Sequence, residues 1–450
     1  MLAFTSRRAA ASLASAAAVS PPIRLLEVEL TEPLPAVSFD GHHRWLWVLG
    51  RLHTEPVGAC LVPVALGGLA PDHLGELLWR EFGSAVSARL TAAGLPGPGP
   101  LAGPWLAADA DSWPFLRRRA EVLADAPLIS VVVCTRDRPQ QLQTCLDHLD
   151  RQAYPRFEVI VVDNVPSGDE TRELVGRRPG SVPYTYLVEP RAGASWARNT
   201  GIAAAAGEII AFLDDDDEPD RYWLAGLASG FARSGDLGCV TGLIVPARLD
   251  TPAEFLFEQL GGHSKGRGFA GDMFSPSGPQ DPLYPSPPFG TGANMAFRRE
   301  TLAAIGGFDV ALGPGTPARA GEDTLAFTLT LLAGYSICYE PAALVRHHHR
   351  RDLAGLREQL HGYSIGLTAY YTALVRHRPD VLAGLFRKLP SALAYLRNSS
   401  SPATVAATAS RAALNRRHRR GMVKGPAAYL RSMRAQARAA SRCARSQEGH

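Results

Sequence analysis

The chain has few cysteines and lacks a long apolar run. Its six cysteines among 450 residues stand singly, without the paired spacing of a zinc site or a thiol redox couple, so a reducing compartment, the cytoplasm, is expected. The nearest approach to a membrane-spanning helix, Gly201–Leu213, is interrupted by Glu208 and falls short of the roughly 18 apolar residues that such a helix needs. The 43 glycines and 35 prolines are too few for a fibrous or low-complexity chain. We therefore expect a folded protein that does not cross a bilayer.

The length and the changing composition of the chain predict several structural units. A chain of 450 residues exceeds an ordinary single domain. The Ala/Ser-rich start is only weakly hydrophobic and favours disorder over a signal peptide. Composition and the breaker cluster Gly94–Pro104 predict five segments, namely a disordered start (1–22), a small α+β domain with its linker (23–104), a central domain (105–350), a helical extension (351–410) and a basic, flexible tail (411–450).

The last forty residues carry a large excess of positive charge. Eleven Lys and Arg residues stand there against Glu448 alone, although the whole chain has a formal net charge of only +4. This segment lacks the repeated aromatic interleaving of a nucleic-acid platform, so no nucleic-acid partner is expected. Its Gly, Ala and Ser content predicts little fixed structure. A peripheral contact between residues 411–450 and an anionic membrane, at the inner face of the plasma membrane, is the partner that this charge favours.

The central domain alternates short β-branched runs with helical stretches. Four runs predict buried parallel strands, namely Ile129–Cys134, Phe157–Asp163, Tyr184–Glu189 and Glu208–Leu213. Helical patterns separate them, the first beginning at Pro139, a residue suited to the first position of a helix. A βαβαβαβ succession predicts an open parallel sheet with helices on both faces. Ligands of such sheets bind at the carboxyl ends of the strands.

Four consecutive aspartates, Asp214 to Asp217, follow the last of these strands. Adjacent carboxylates repel one another unless a cation or positive side chains compensate. Carboxylate oxygens favour Mg²⁺ or Mn²⁺, and an ion held by one or two carboxylates completes its shell with water and substrate phosphates. The alternative, a solvated acidic loop, fits poorly with a position directly after a buried strand. The sequence therefore predicts a divalent metal site and a diphosphate-containing substrate.

Several motifs together resemble a family 2 glycosyltransferase with the GT-A fold, over about residues 127–350. The motifs occur in the order of that family, and their joint signal is more specific than any one of them. They are TRDRPQQLQTCLDHL (Thr135–Leu149), VIVVDN (Val159–Asn164), GASWARNTGIAAAAGEIIAFLDDDD (Gly193–Asp217), GANMAFRRETLAAIGGFD (Gly292–Asp309) and GEDTLAF (Gly321–Phe327). The resemblance implies an α/β fold with an open, mostly parallel sheet, to which a small N-terminal α+β unit and a helical C-terminal extension are added.

The resemblance also implies a role for individual residues. Asp214 and Asp216 correspond to the outer carboxylates of the DxD motif, with Asp216 binding the metal directly. Asp323 corresponds to the general base, in the first turn of a predicted helix. The residues implied to bind the donor nucleotide are Thr135, Arg138, Asp163, Arg198, Asp214 and Asp215. Those implied on the acceptor side are Gly292, Asn294 and Glu322.

Three histidines follow a predicted strand, in the run Arg346–Arg350. Family members often place a histidine here, so the resemblance implies His347 as a first choice and His349 as a second for a further ligand to the Mn²⁺ or Mg²⁺. A zinc site is not expected, because neither a thiolate nor a second histidine cluster accompanies the run. The Gly/Pro-rich stretch Gly261–Pro288 is too long for a routine connection, and such loops are often functional.

The resemblance and the residues together predict a metal-dependent, inverting glycosyltransferase that uses a nucleotide-sugar donor and a hydroxyl acceptor. The nucleotide remains open between UDP, GDP and dTDP, and the acceptor between a lipid-linked saccharide, a polysaccharide end and a small secondary metabolite. A nucleotidyltransferase is the enzymatic alternative, but the sequence after the first strand of the central domain, CTRDRPQQ, lacks the Gly-rich loop that cradles a triphosphate. A non-catalytic nucleotide-binding protein on the same fold is the alternative from another class.

Overall fold

The computed structural model describes residues 19–95, 113–178, 180–279, 281–283, 289–388 and 420–438. The predictions for the start of the chain, for most of the Gly94–Pro104 linker and for both ends of the basic tail fall outside these ranges. Within them, every helix is too short or too polar to span a bilayer.

The N-terminal unit is a three-stranded sheet covered by one helix, which confirms the predicted small α+β unit. A methyl group on Gly50 or Gly58 would lie 2.5 Å from the Phe82 ring, so these glycines let the helix approach the sheet closely. Trp113 is buried in the same core. The elements are β1 (Arg24–Glu29), β2 (Trp45–Leu52), β3 (Glu55–Pro63) and helix α1 (Pro71–Ala92), followed by α2 (Pro114–Ala124).

Ion pairs join this unit to the central sheet, and the Arg51–Asp220 pair among them is buried. Arg51 in β2 donates from Nε to Glu27 at 3.0 Å and from Nη2 to Asp220 at 2.7 Å. Arg346 also pairs with Glu27. Asp220 lies just beyond the four aspartates, so the N-terminal unit holds the chain directly behind the predicted metal site. Removing one partner of such a buried pair is costly, because the other charge is left without compensation.

The central domain begins with four parallel strands in the order β7-β4-β5-β6. Alternate residues of β4 enter the cores on the two faces of the sheet, Val131 and Val133 on one side and Val132 on the other. The strands are β4 (Ile129–Thr135), β5 (Phe157–Asn164), β6 (Tyr184–Glu189) and β7 (Ile209–Asp214). The helices between them are α3 (Pro139–Leu149), α4 (Glu170–Gly176) and α5 (Ala194–Ala204). The predicted α/β class, with an open sheet and helices on both faces, is confirmed.

The same sheet continues beyond β7 through an antiparallel strand. Strand β11 (Asn294–Arg298) lies between β7 and β9 (Leu237–Pro246), and β12 (Ser336–His347) runs parallel to β9. The short strand β8 (Asp217–Pro219) pairs antiparallel with the end of β12, with His347 opposite Asp217. Strand β10 (Asp272–Phe274) closes the far edge. The pairing of β8 with β12 brings the histidine run beside the aspartates.

Five further helices lie in the described part of residues 220–378. In helix α10 (Leu353–His377), Tyr370 and Leu374 are buried against α9 (Glu322–Leu332), whereas Tyr363 is exposed. Helix α10 thus packs on the central domain. The helices are α6 (Trp223–Phe231), α7 (Pro252–Gln259), α8 (Arg299–Ile305), α9 (Glu322–Leu332) and α10 (Leu353–His377).

Residues 420–438 form a helix, here called the C-terminal helix, so the prediction of a flexible tail is wrong for this segment. Tyr429 is buried and its hydroxyl donates to Asp309 at 2.7 Å. Gln436 accepts a 2.6 Å hydrogen bond from the Trp196 indole in α5. A count of charges does not show that this helix is amphipathic. Its buried residues Ala428, Tyr429 and Ser432 recur at helical spacing, while its basic residues face solvent.

The C-terminal helix docks on α10 at a proline. Pro426 has no amide hydrogen, so the carbonyl of Met422 one turn earlier has no helical donor. The Thr368 hydroxyl of α10 donates to that carbonyl at 2.6 Å instead. Gly425 makes this approach possible, because a methyl group there would lie 1.9 Å from Thr368 Oγ1 and 2.6 Å from the Ile365 carbonyl oxygen.

Replacing Gly425 by Ala is therefore expected to destabilise the protein. Helix propensity alone predicts a gain of about 1 kcal/mol, whereas the forced separation of the two helices costs about 1–3 kcal/mol. Urea unfolding measures the balance, with Ala427→Ser on the exposed face as a control. A Gly425→Ala protein as stable as the wild type would contradict the close packing described above.

Candidate functional site

A cavity of about 1340 Å³ lies at the carboxyl ends of β4, β5 and β7. Most of the residues that the sequence predicted for the site line it, although they come from distant parts of the chain. Helix α10 forms one wall of this cavity, with Tyr363 and Tyr371 among the lining side chains. The predicted residues that line the cavity are Thr135, Arg138, Arg198, Asp214, Asp215, Asp216, Gly292, Glu322, Asp323 and His347.

The four aspartates have different surroundings. Asp215 is buried and accepts hydrogen bonds from Thr135 Oγ1 at 2.7 Å and from Arg138 Nη1 at 3.1 Å. Arg138 also donates to Asp216 at 3.3 Å. Asp217 turns inward and accepts from the backbone N–H of Asp214 at 3.2 Å. Asp214 and Asp216 are therefore the members of the run whose carboxylates are most open to the cavity.

The cluster is electrostatically strained because several carboxylates share a poorly hydrated site. Burial, together with repulsion from Asp216, raises the pKa of Asp215 to about 6. Burial also raises the pKa of Asp214, and raises that of Asp217 well above its ordinary value. Such shifts mean that the ionised forms are costly here, and a bound divalent cation would relieve that cost.

The residues fit a divalent cation. Asp214, Asp216 and His347 each offer a ligand atom, and these three atoms lie within 4.8 Å of one another. His347 Nε2 is 3.7 Å from Asp216 Oδ1. The pairing of β8 with β12 explains this proximity, since it fixes the histidine beside the aspartates. Two carboxylates and one imidazole suit Mn²⁺ or Mg²⁺, with the remaining positions left for water and phosphate oxygens.

Arg198 connects the aspartates to the start of α9. This buried side chain donates from Nη1 to Glu322 Oε1 at 2.8 Å and from Nη2 to Asp214 Oδ1 at 3.5 Å. Glu322 and Asp323 occupy the first turn of α9, where the helix dipole favours negative charge. Asp323 accepts from the Gly292 amide at 2.8 Å and from the Thr324 amide at 2.6 Å. These two hydrogen bonds hold the carboxylate of Asp323 in a fixed position beside Glu322.

The structure places three predicted site residues elsewhere. Asp163 lies outside the cavity, buried, and accepts from the Tyr186 hydroxyl at 3.1 Å. Asn294 is predicted on the acceptor side, and this prediction is wrong because both the oxygen and the nitrogen of its side-chain amide are hydrogen-bonded inside the core. Its oxygen accepts from Trp223 Nε1 at 2.9 Å, and its nitrogen donates to the carbonyls of Leu243 and Ala343. His349 does not join the aspartates, because its Nε2 is hydrogen-bonded to Glu258 Oε1 at 2.7 Å.

Sequence reasoning missed some residues that line the cavity. Asn164 takes the place expected for Asp163, lining the cavity and accepting from the Gly193 amide at 2.9 Å. His263, from the Gly/Pro-rich stretch Gly261–Pro288, lines it near His347. The alternation of side chains along β5 could have separated Asn164 from Asp163, whereas no local signal places His263.

Comparison with known proteins identifies the central domain. A family model described as glycosyl transferase family 2 matches residues 130–306. Residues 130–306 are a family 2 glycosyltransferase domain. The match falls within the resemblance predicted for residues 127–350 and confirms it.

The chain is similar to several curated glycosyltransferases over part of their length. It is 36% identical over 115 residues to the glycosyltransferase AglE of Haloferax volcanii, covering 24% of this chain and 37% of that protein. It is 25% identical over 228 residues to the glucosyl-dolichyl phosphate glucuronosyltransferase of the same organism, covering 49% of this chain and 68% of that one. Among solved structures, the mannosyltransferase PcManGT from Pyrobaculum calidifontis, in complex with GDP-Man and Mn²⁺, matches with a TM-score of 0.43 and 22% identity. That match covers 68% of this chain and 86% of the other.

The stability of this glycosyltransferase domain is expected to depend on the ionisation of Asp215. Its folded pKa of about 6 lies above the ordinary value of 3.8, so its stabilising contribution is present below pH 3.8 and is lost as the pH rises through 6. Two pKa units correspond to about 3 kcal/mol. We expect Asp215→Asn to raise the free energy of unfolding at pH 7.5, by up to about 3 kcal/mol in the absence of divalent cations, and to change it little at pH 4. If Asp215→Asn changed the free energy of unfolding equally at pH 7.5 and at pH 4, the proposed cost of ionising Asp215 would be contradicted.

Proposed function

We propose that the protein is a cation-dependent, inverting glycosyltransferase that moves a sugar from a nucleotide-sugar donor to an acceptor hydroxyl. One observation carries this proposal. One cavity is lined both by the Asp214, Asp216 and His347 group and by Asp323, and Arg198 links Asp214 to Glu322, the residue before Asp323. A cation ligand set suited to a diphosphate and a fixed carboxylate suited to a base therefore face the same space.

We assign donor binding to the end of the cavity that is formed by the carboxyl ends of the parallel strands β4 and β7. Thr135 and Arg138 lie at the carboxyl end of β4 and just beyond it, and both are already hydrogen-bonded to Asp215. This arrangement fixes the side chains before a ligand arrives. A bound Mn²⁺ or Mg²⁺ would neutralise negative charge on the departing nucleoside diphosphate. Arg198 adds a buried positive charge on the same side and orients Asp214.

Asp323 is assigned as the general base. Each of its carboxylate oxygens accepts one backbone hydrogen bond, which leaves further lone pairs for the acceptor hydroxyl. As the acceptor oxygen forms its bond to the anomeric carbon, the bond from that carbon to the phosphate oxygen breaks and the hydroxyl proton passes to Asp323. A single displacement of this kind inverts the anomeric configuration.

Incubation with UDP-, GDP- and dTDP-sugars tests this assignment. We expect one donor class to release its nucleoside diphosphate in the presence of Mn²⁺, and chelation by EDTA to abolish the release. NMR of the product would give the anomeric configuration. Retention would exclude the single displacement, and release that is unaffected by EDTA would exclude the cation.

We also propose a lipid-linked acceptor at an anionic membrane surface. The outward face of the C-terminal helix exposes Lys424, Arg431 and Arg434 beside Val423 and Leu430, which are 82% and 51% exposed. Basic charges near an anionic surface contribute about 1 kcal/mol each. The name of one relative, a glucosyl-dolichyl phosphate glucuronosyltransferase, supports the same acceptor class. The wild type should sediment with phosphatidylglycerol vesicles, and the double variant Arg431→Glu with Arg434→Glu should not. If the double variant bound vesicles like the wild type, this surface would not be the membrane contact.

A further inference from the structure

Three histidines from two separate segments converge beside the aspartate site. His347 and His349 stand at the end of β12, and His263 comes from the loop that follows α7. Each offers a ring nitrogen, and these three nitrogens lie within 4.8 Å of one another. The ring centroids of His263 and His347 are 4.4 Å apart, and those of His347 and His349 are 5.5 Å apart.

One ring nitrogen of each of these histidines is buried without a partner among the described residues. His263 Nε2, His347 Nδ1 and His349 Nδ1 are shielded from solvent, and no described residue forms a hydrogen bond with any of them. The His347 and His349 residues are only 7% and 5% exposed. Burying a polar atom without a hydrogen bond costs about 1–3 kcal/mol. Three such atoms in one place call for a common partner, and a cation supplies one.

The surroundings of His349 prepare it as a ligand. Its Nε2 lies 2.7 Å from Glu258 Oε1, so the proton resides on Nε2 and the lone pair of the buried Nδ1 is left for a ligand. A carboxylate bonded to the far nitrogen is the usual outer support of a metal-binding histidine. The ring of Phe257 packs edge-on against both His263 and His349, with centroids 5.1 and 4.8 Å away, and completes an apolar wall.

We propose that His263, His347 and His349 bind a Zn²⁺ ion. Three neutral imidazoles favour Zn²⁺ over Mg²⁺ or Mn²⁺, which prefer carboxylate oxygens. His263 and His347 also line the cavity, so the fourth position of a tetrahedral site is available to water or to a substrate oxygen. The sequence alone does not indicate zinc, because neither a thiolate nor a second histidine cluster accompanies residues 347–349 in it. The fold supplies the missing ligand from the loop.

The zinc site shares His347 with the proposed catalytic site. A neutral imidazole has one lone-pair nitrogen. When Nδ1 of His347 binds Zn²⁺, its Nε2 carries the proton and faces Asp216 Oδ1 at 3.7 Å. His347 therefore binds either Zn²⁺ or the cation of the aspartate site, but not both at once. Zinc would also tie the loop containing His263 to the end of β12, and in this way hold that part of the cavity wall in place.

Zinc titration of the purified full-length protein tests the site without any measure of sugar transfer. We expect calorimetry to give one tight Zn²⁺ per chain in the wild type, in Asp216→Ala and in His348→Ala. His348 is a matched control, because it lies between two of the ligands but bonds to Glu218 at 2.7 Å. We expect Zn²⁺ binding to weaken at least about 100-fold in His263→Ala and in His349→Ala. Undiminished binding in these two variants, or loss of the tight site in Asp216→Ala, would overturn the proposal.

A cobalt spectrum of the wild-type protein provides a test that does not depend on whether the variants fold. A four-coordinate Co²⁺ bound by histidine nitrogens absorbs strongly in the visible region, and Zn²⁺ should abolish that absorption on stoichiometric addition. The weak absorption of a six-coordinate, oxygen-rich site would overturn the assignment. Neither the calorimetry nor the cobalt spectrum involves nucleotide or sugar. A protein that binds no Zn²⁺ would therefore leave the proposed glycosyltransferase activity unaffected, and a protein without that activity would leave the zinc site unaffected.

Discussion

Replacing Asp323 by Asn is expected to reduce kcat for sugar transfer by about 10²–10⁴-fold, the usual contribution of a general base. The amide can still accept a backbone hydrogen bond of the kind that Gly292 and Thr324 donate to the carboxylate, so the local structure should survive. It cannot take up the acceptor proton. Donor binding should remain close to that of the wild type, because Asp323 belongs neither to the Asp214, Asp216 and His347 group nor to the residues assigned to the donor end of the cavity.

Steady-state kinetics together with nucleotide titration would separate these effects. Glu300→Gln is a suitable control, because Glu300 is also an acidic residue in the first turn of a helix, α8, but lies outside the cavity. If Asp323→Asn transferred sugar at the wild-type rate, another group would have to be the base. If it lost donor binding as well, Asp323 would belong to the donor site instead.

Replacing Asp216 by Ala is expected to lower kcat/KM by about 10²–10³-fold, because it removes a proposed cation ligand at the point where charge develops on the leaving group. The loss should appear mainly as weaker Mn²⁺ binding, and should be partly overcome at high Mn²⁺ concentration. Asp214 and His347 would remain as ligands, since their positions depend on Arg198 and on the pairing of β8 with β12. A Mn²⁺ titration of the initial rate measures the effect.

Asp217 provides a matched control within the same run of four aspartates. Its side chain points away from the cavity and accepts a hydrogen bond from the Asp214 amide, and burial already favours its neutral form because it raises the pKa. Asp217→Asn should therefore bind Mn²⁺ like the wild type. If Asp217→Asn lost Mn²⁺ and Asp216→Ala kept it, the ligand assignment would be displaced by one position along the run.

Local patterns predicted the parallel half of the sheet well. The four β-branched runs of the sequence match β4, β5, β6 and β7 to within one residue at each end. Helix α3 begins at Pro139, as the preference of proline for the first helical position suggested. These elements are set by short-range periodicity and by burial on both faces, which a single sequence displays. Hence the residues at strand ends, Thr135 and Asp214 among them, could be expected at one edge.

Features that depend on distant pairing could not be predicted in this way. The placement of His347 with the aspartates follows from the pairing of β8 with β12, and that of His263 from the path of a long loop. Asn294 has the same polar character as a substrate-binding residue, yet its partners Trp223, Leu243 and Ala343 lie on other elements. The C-terminal helix was not predicted for another reason. Net charge and composition do not depend on residue order, so they do not show that Tyr429 and Ser432 lie on one face of a helix.

The most direct test of the central claim is calorimetric titration of the wild-type protein with UDP, GDP and dTDP, with and without Mn²⁺. A cavity that joins the Asp214, Asp216 and His347 group to Thr135 and Arg138 should bind one of the three nucleotides at least about tenfold more tightly when Mn²⁺ is present. Folded protein that binds none of them in the presence of Mn²⁺ would contradict a nucleotide-sugar-dependent glycosyltransferase.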